Sequence, residues 1–153
     1  MPQVQPVGAY LDRSKALIAV GSSLTLDESH NGKTMLLDTL AGSTCTLPEA
    51  TGTGLCYYFK VSVVPTSNAH VVQVASDDTI DGSILGCADG GDSVVGWESA
   101  ATSDTISLNG TTTGGVTIGD CLELMDIGTG QWVVKGVITQ SGTEATPFSA
   151  AVS

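Results

Sequence analysis

The feature that most limits what this chain can fold into is its punctuation. From Leu24 onward, short apolar runs alternate with turn-forming residues, at the spacing expected of an all-β sandwich or barrel. Asn31-Gly32 and Asn109-Gly110 are the strongest turn signals; each reads as a type I′ hairpin turn, which needs φ > 0 at both central residues. Strands are predicted at 34–39, 43–47, 55–64, 70–75, 83–87, 93–98, 104–108, 120–126 and 131–139. The run 55–64 has the clearest alternation. Leu55, Tyr57, Phe59, Val61 and Val63 share one face, read as core, and Cys56, Tyr58, Lys60 and Ser62 share the other. Pro65 stops it. No long amphipathic helix is legible, and only 11–20 has room for a helical turn or two. Composition agrees: 19 Gly, 19 Thr and 16 Ser make up 54 of 153 residues while charged residues are 14%, the opposite of a coiled coil or helical bundle.

The length fits one domain. Residues 1–15, with Pro2 and Pro6, read as an extended N-terminal arm, and 16–153 as a single β-rich domain ending in a short polar tail. The expected fold is an antiparallel sandwich or barrel, jelly-roll-like or β-tulip-like. Net charge is −11, which disfavours nucleic acid as a partner. The charge is uneven: residues 1–60 hold four cations and five acids, residues 61–153 one cation and eleven acids. The first part is expected to rest on another protein and the second to face solvent. Nothing approaches a membrane-spanning apolar stretch. The short run 16–20 is too brief for a signal-peptide core, so the chain reads as made in the cytoplasm, with Cys45, Cys56, Cys87 and Cys121 as free thiols.

A catalytic constellation is not legible. His30 and His70 are the only histidines, no G-x-S-x-G elbow accompanies the serines, and both histidines read as structural. The cysteines form no C-x-x-C pair, so a zinc site has little support. Cys45 and Cys56 fall on strand faces of opposite sense, which argues against a bridge. Asp77, Asp78, Asp81, Asp89 and Asp92 miss the ligand spacing of a calcium loop and read as turn residues. The expectation is therefore no catalytic residue, no metal and no cofactor.

Several segments together resemble a pattern common among small β-rich structural proteins of tailed bacteriophages. They are the His30-Asn31-Gly32-Lys33-Thr34 turn, the Thr46-Leu47-Pro48 step, the Ala50-Thr51-Gly52-x-Gly54 loop, the strand through Tyr58 and Phe59, the Thr66-Ser67-Asn68-x-His70 element and the stretch 103–115. The resemblance implies a non-enzymatic virion protein on the outer capsid surface. Specifically, it implies a capsid decoration or cement protein, a homotrimer bound to the major capsid protein. On that reading the arm supplies the shell contacts, with Pro6, Tyr10, Arg13 and Lys15 as the candidates. The alternative is a receptor- or glycan-binding module of a head or tail fibre, for which Tyr58, Trp97 and Trp132 are the plausible aromatic set.

Overall fold

A computed structural model describes residues 16–152. The described chain is all-β, in the order β1 (Leu17–Ala19), β2 (Ser23–Thr25), β3 (Thr34–Leu37), β4 (Thr44–Thr46), β5 (Cys56–Val61), β6 (His70–Gln73), β7 (Thr79–Ala88), β8 (Val94–Glu98), β9 (Thr105–Leu108), β10 (Cys121–Gly128), β11 (Gln131–Gln140) and β12 (Phe148–Ser149). A seven-stranded sheet has the order β1-β3-β5-β10-β11-β7-β8, and a five-stranded sheet the order β12-β9-β6-β4-β2. The two pack as a sandwich.

Half of the neighbouring pairs are parallel, which departs from the antiparallel expectation. The reason is the path of the chain. From β1 to β7 successive strands alternate between the sheets, so each return to a sheet runs in the same direction as the last. The result is β1, β3 and β5 parallel in the large sheet and β2, β4 and β6 parallel in the small one. This is a flattened coil of three turns. Its register partners, Leu17–Thr34 and Thr34–Tyr58, are 17 and 24 residues apart, so no fixed period marks it in the sequence. Beyond β7 the chain closes the sandwich with the hairpins β7–β8 and β10–β11.

The turn residues work differently from the type I′ expectation. Every described residue with positive φ is glycine. Asn31 has φ −54° and ψ 133° after a 3-10 turn (Glu28–His30), followed by Gly32 at φ 73°, the geometry of a type II turn. Its side chain earns the position otherwise, accepting the Cys56 N–H at 2.9 Å. Asn109 likewise accepts from the Thr111 and Thr113 N–H groups.

The core lies between the sheets. Tyr57, Phe59 and Val61 are fully buried, as the alternation of β5 requires, and meet Met35, Leu37, Leu124, Trp132 and Val134 of the same sheet and Cys45, Val72, Ile106 and Leu108 of the other. The Tyr57 and Trp132 rings lie 5.7 Å apart. At one end, buried Gln140 accepts the Trp97 indole N–H at 2.8 Å and donates to the Thr112 and Ala145 carbonyls at 2.7 Å. Gly86 makes room for it, since a Cβ there would sit 1.9 Å from the Gln140 Oε1. Near the end of the described residues, Phe148 pairs with Ile106 and is buried.

Four aspartates, Asp78, Asp104, Asp120 and Asp126, are also buried, and they hold the connections between strands. Asp126 accepts the N–H groups of Thr51, Gly52 and Thr53 at 3.0, 2.7 and 3.0 Å and the Thr53 hydroxyl at 2.7 Å. Asp120 accepts from Gly115 and Thr139, Asp78 from Ala50, and Asp104 from Ala151. Burial works against the Asp126 charge, but its hydrogen bonds from Thr53, Thr51 and Gly52 outweigh that and hold the carboxyl at about 2. At Asp120 burial dominates the hydrogen bonds and pushes the carboxyl up.

The two carboxylates therefore respond differently to an amide. Both Asp126 oxygens face N–H donors, so the NH₂ of Asp126→Asn must oppose one of them; its unfolding free energy in urea should fall by about 2–3 kcal/mol. In Asp120→Asn the amide oxygen can keep the Gly115 and Thr139 N–H groups while the NH₂ turns to the Thr139 hydroxyl, a group able to accept; with Thr117 the one further backbone donor, the loss should be smaller than for Asp126→Asn, about 1 kcal/mol. Because the folded Asp126 carboxyl titrates below its unfolded value of about 3.9, its contribution is present above that pH and is lost as pH falls toward 2. Equal losses from the two substitutions would contradict this assignment.

Candidate functional site

The outer face of the seven-stranded sheet carries most of the exposed large apolar side chains among the described residues. Strand register fixes the rows. One row runs Leu36, Lys60, Cys121, Val137, Leu85 and Gly96. The next runs Leu17, Thr34, Tyr58, Glu123, Lys135, Ser83 and Glu98. A third runs Cys56, Met125, Val133 and Asp81, and a shorter row pairs Thr139 with Cys87 and Val94. Of nine exposed large hydrophobics among the described residues, Leu17, Tyr58, Leu85, Val94, Met125, Ile127 and Val137 belong to this sheet's outward positions, leaving Leu40 and Ile118 elsewhere. Leu85 and Val137 sit opposite each other at 48% and 47% exposure.

Short side chains hollow the face. Cys121 and Ser83 lie between the longer Tyr58, Lys60, Leu85, Lys135 and Val137, leaving a groove of about 530 Å³. A neighbouring hollow of about 540 Å³ continues past Gly82 and Gly96 toward β8. The electrostatics are unlike those of the chain as a whole. Lys60 and Lys135, two of the three lysines among the described residues, meet here with Glu123, Glu98 and Asp81, a net of −1. Lys135 comes from the acidic part of the sequence and Lys60 from the near-neutral part; the sheet brings them together across β10.

The sequence-predicted residues are distributed as follows. Tyr58 is on this face and 38% exposed. Trp132 is fully buried against Tyr57, and Trp97 turns its indole N–H to the buried Gln140. The three therefore form no common aromatic face. Pro6, Tyr10, Arg13 and Lys15 lie outside the described residues. Cys87 and Cys121 are partly exposed on the face, while Cys45 is in the core, where burial pushes its thiol up to about 12. All four cysteines are free. Asp78 and Asp81 hold Ala50 and Gln131, and among the described residues no group of three His, Cys, Asp or Glu side chains is arranged to hold a metal ion. Leu85, Met125 and Val137 were not singled out by sequence reasoning. Their signal is that the outward faces of 83–87, 120–126 and 131–139 carry Leu85, Met125, Val133 and Val137 among polar residues, where a fully wet strand face would be polar throughout.

His30 caps the 3-10 turn, its Nδ1 accepting the Asp27 N–H at 3.1 Å. His70 is fully buried with its Nε2 2.7 Å from the Val63 carbonyl, and its Nδ1 has no partner; nor has the hydroxyl of buried Ser43, which precedes the neighbouring strand. The Nε2–H donation to Val63 makes the neutral ring the one that fits. Burial lowers the His70 pKa, against the opposing pull of the Val63 carbonyl and Asp38. Chain comparison with protein families, with curated proteins and with solved structures finds no match.

A ring kept neutral by the fold gives stability that is complete above the unfolded histidine value of about 6.5 and declines as pH falls through it. Urea midpoints of the native chain should therefore drop between pH 7.5 and 5.5, and those of His70→Gln should drop less. Identical slopes would mean that His70 titrates in the folded state as freely as in the unfolded one.

Proposed function

We propose that the chain is a structural protein of a bacteriophage virion, bound to the outer surface of the capsid and stabilising the mature shell by the area it covers. The observation that carries this reading is the concentration on one sheet face of seven of the nine exposed large apolar side chains among the described residues. Contiguous apolar surface of this kind marks a place where protein meets protein. The resemblance of 26–72 and 103–115 to phage structural proteins supplies the setting. The largely apolar hollow beside Lys60, Lys135 and Glu123 suits side chains of a neighbour rather than a solvated surface.

A decoration protein acts by linkage: it binds the mature arrangement of the shell and not the earlier one, and its binding free energy is added to the stability of the mature lattice. Several arms on one oligomer multiply that effect through avidity. The proposed shell contacts, Pro6, Tyr10, Arg13 and Lys15, combine an apolar anchor with two cations suited to capsid carboxylates.

Heads assembled without the chain should burst at lower temperature than decorated heads, and adding purified protein should restore the difference. A chain lacking residues 1–15 should keep the fold but lose attachment in co-sedimentation with heads. Equal burst temperatures with and without the protein would defeat the reading; attachment of the truncated chain would move the contact off the arm.

A further inference from the structure

We infer that the outer face of the seven-stranded sheet is where copies of this chain meet, with β10 and β11 at the buried centre of the contact. The inference deepens the reading above, on which it rests for the presence of several copies, and it names the surface that joins them.

Extent is the first argument. Seven strands at about 4.8 Å spacing span about 29 Å, and four rows of side chains about 6.7 Å apart span about 20 Å. A face of about 600 Å² is comparable with the roughly 800 Å² that each partner contributes to a standard interface. On β7, β10 and β11 the row of Glu123, Lys135 and Ser83 is flanked by exposed Leu85 and Val137 on one side and Met125 on the other, where a fully solvated sheet face would carry polar residues.

Charge selects the occupant. A chain of net charge −11 that met its own copy through its acidic surface would set carboxylates against carboxylates. This face is near neutral, and Glu123 lies directly between Tyr58 and Lys135 in one row, with Lys60 on the next. A second copy brings a carboxylate for each lysine, with the two lysines of each copy facing Glu123, Glu98 and Asp81 of the other, the kind of complementarity that lets one surface pair with another of the same sequence. The hollows over Cys121, Ser83 and Gly96 are then filled by the longer side chains, Tyr58 and Leu85, of the neighbouring copy.

The test is sedimentation equilibrium on the full chain. The native protein should run at a multiple of 15.5 kDa, and Leu85→Glu combined with Val137→Glu should reduce it to the single-chain mass with an unchanged far-ultraviolet spectrum. Leu40→Glu, at an exposed apolar residue of the β3–β4 connection that crosses to the other sheet, should leave the oligomer intact. If the double variant fails to fold, amine acetylation of the native protein decides: Lys60 and Lys135 should be modified more slowly than Lys33, and the lag should vanish on dilution to single chains. A native protein that stays at 15.5 kDa with all three lysines equally reactive overturns the inference. So does a double variant that remains oligomeric, and if that variant also stops binding heads, the face belongs to the shell and the functional reading survives alone. A double variant that falls to single chains, alongside native oligomer that ignores heads, leaves the inference standing and the functional reading refuted.

Discussion

Backbone N–H groups carried inside by the strand connections are the constraint on which this fold depends. A chain that crosses from one sheet to the other after nearly every strand must bring loop backbone close to the core, and each buried amide then needs an acceptor. Small turn-forming residues cannot supply it. Aspartate can. Asp126 gathers the 51–53 loop onto the end of β10, Asp120 ties Gly115 to Thr139, and Asp104 receives the last described residues of the chain. At Asp126 and Asp120 the negative charge is met by amide and hydroxyl hydrogens, which explains how a protein with five cations accommodates buried carboxylates.

This arrangement changes what the acidic composition means. Of the eleven acids in residues 61–153, Asp78, Asp104, Asp120 and Asp126 are inside, where they hold loops and do not face solvent. Meanwhile the described lysines Lys60 and Lys135 converge on the outer face of the large sheet. The surface is thus divided less by position along the chain than by sheet face. One face is apolar and near neutral; the opposite layer, the five-stranded sheet, ends in edge strands of three and two residues, β2 and β12, too short to template pairing with another chain.

Much of this was legible in the sequence, and the part that was not has physical reasons. The alternation in 55–64 placed Tyr57, Phe59 and Val61 in the core and Tyr58 and Lys60 outside, because period-two patterning reports side-chain direction regardless of which strand lies alongside. For the same reason it is silent on pairing, and the parallel turns of the coil were missed. The strand β1 was read as a place for a helical turn because three residues hold too little pattern. Asn31 and Asn109 were correctly read as turn residues but for the wrong cause: their side chains bind the backbone, and glycine takes the positive φ. Trp132 looked available for a ligand because an aromatic residue's burial depends on which strand face it occupies, and β11 carries apolar residues on both. Val133 and Val137 on its outward side were the trace of the outer face.

An electron cryo-microscopy map of an intact phage head carrying the chain tests the central claim most directly, since the claim concerns what lies against the large sheet. The account predicts protein density from another copy packed on β10 and β11, with Leu85 and Val137 shut off from solvent. A map in which that face opens onto bulk water would contradict it, while one in which the chain is missing from the particle would refute the capsid reading and leave the contact between copies standing.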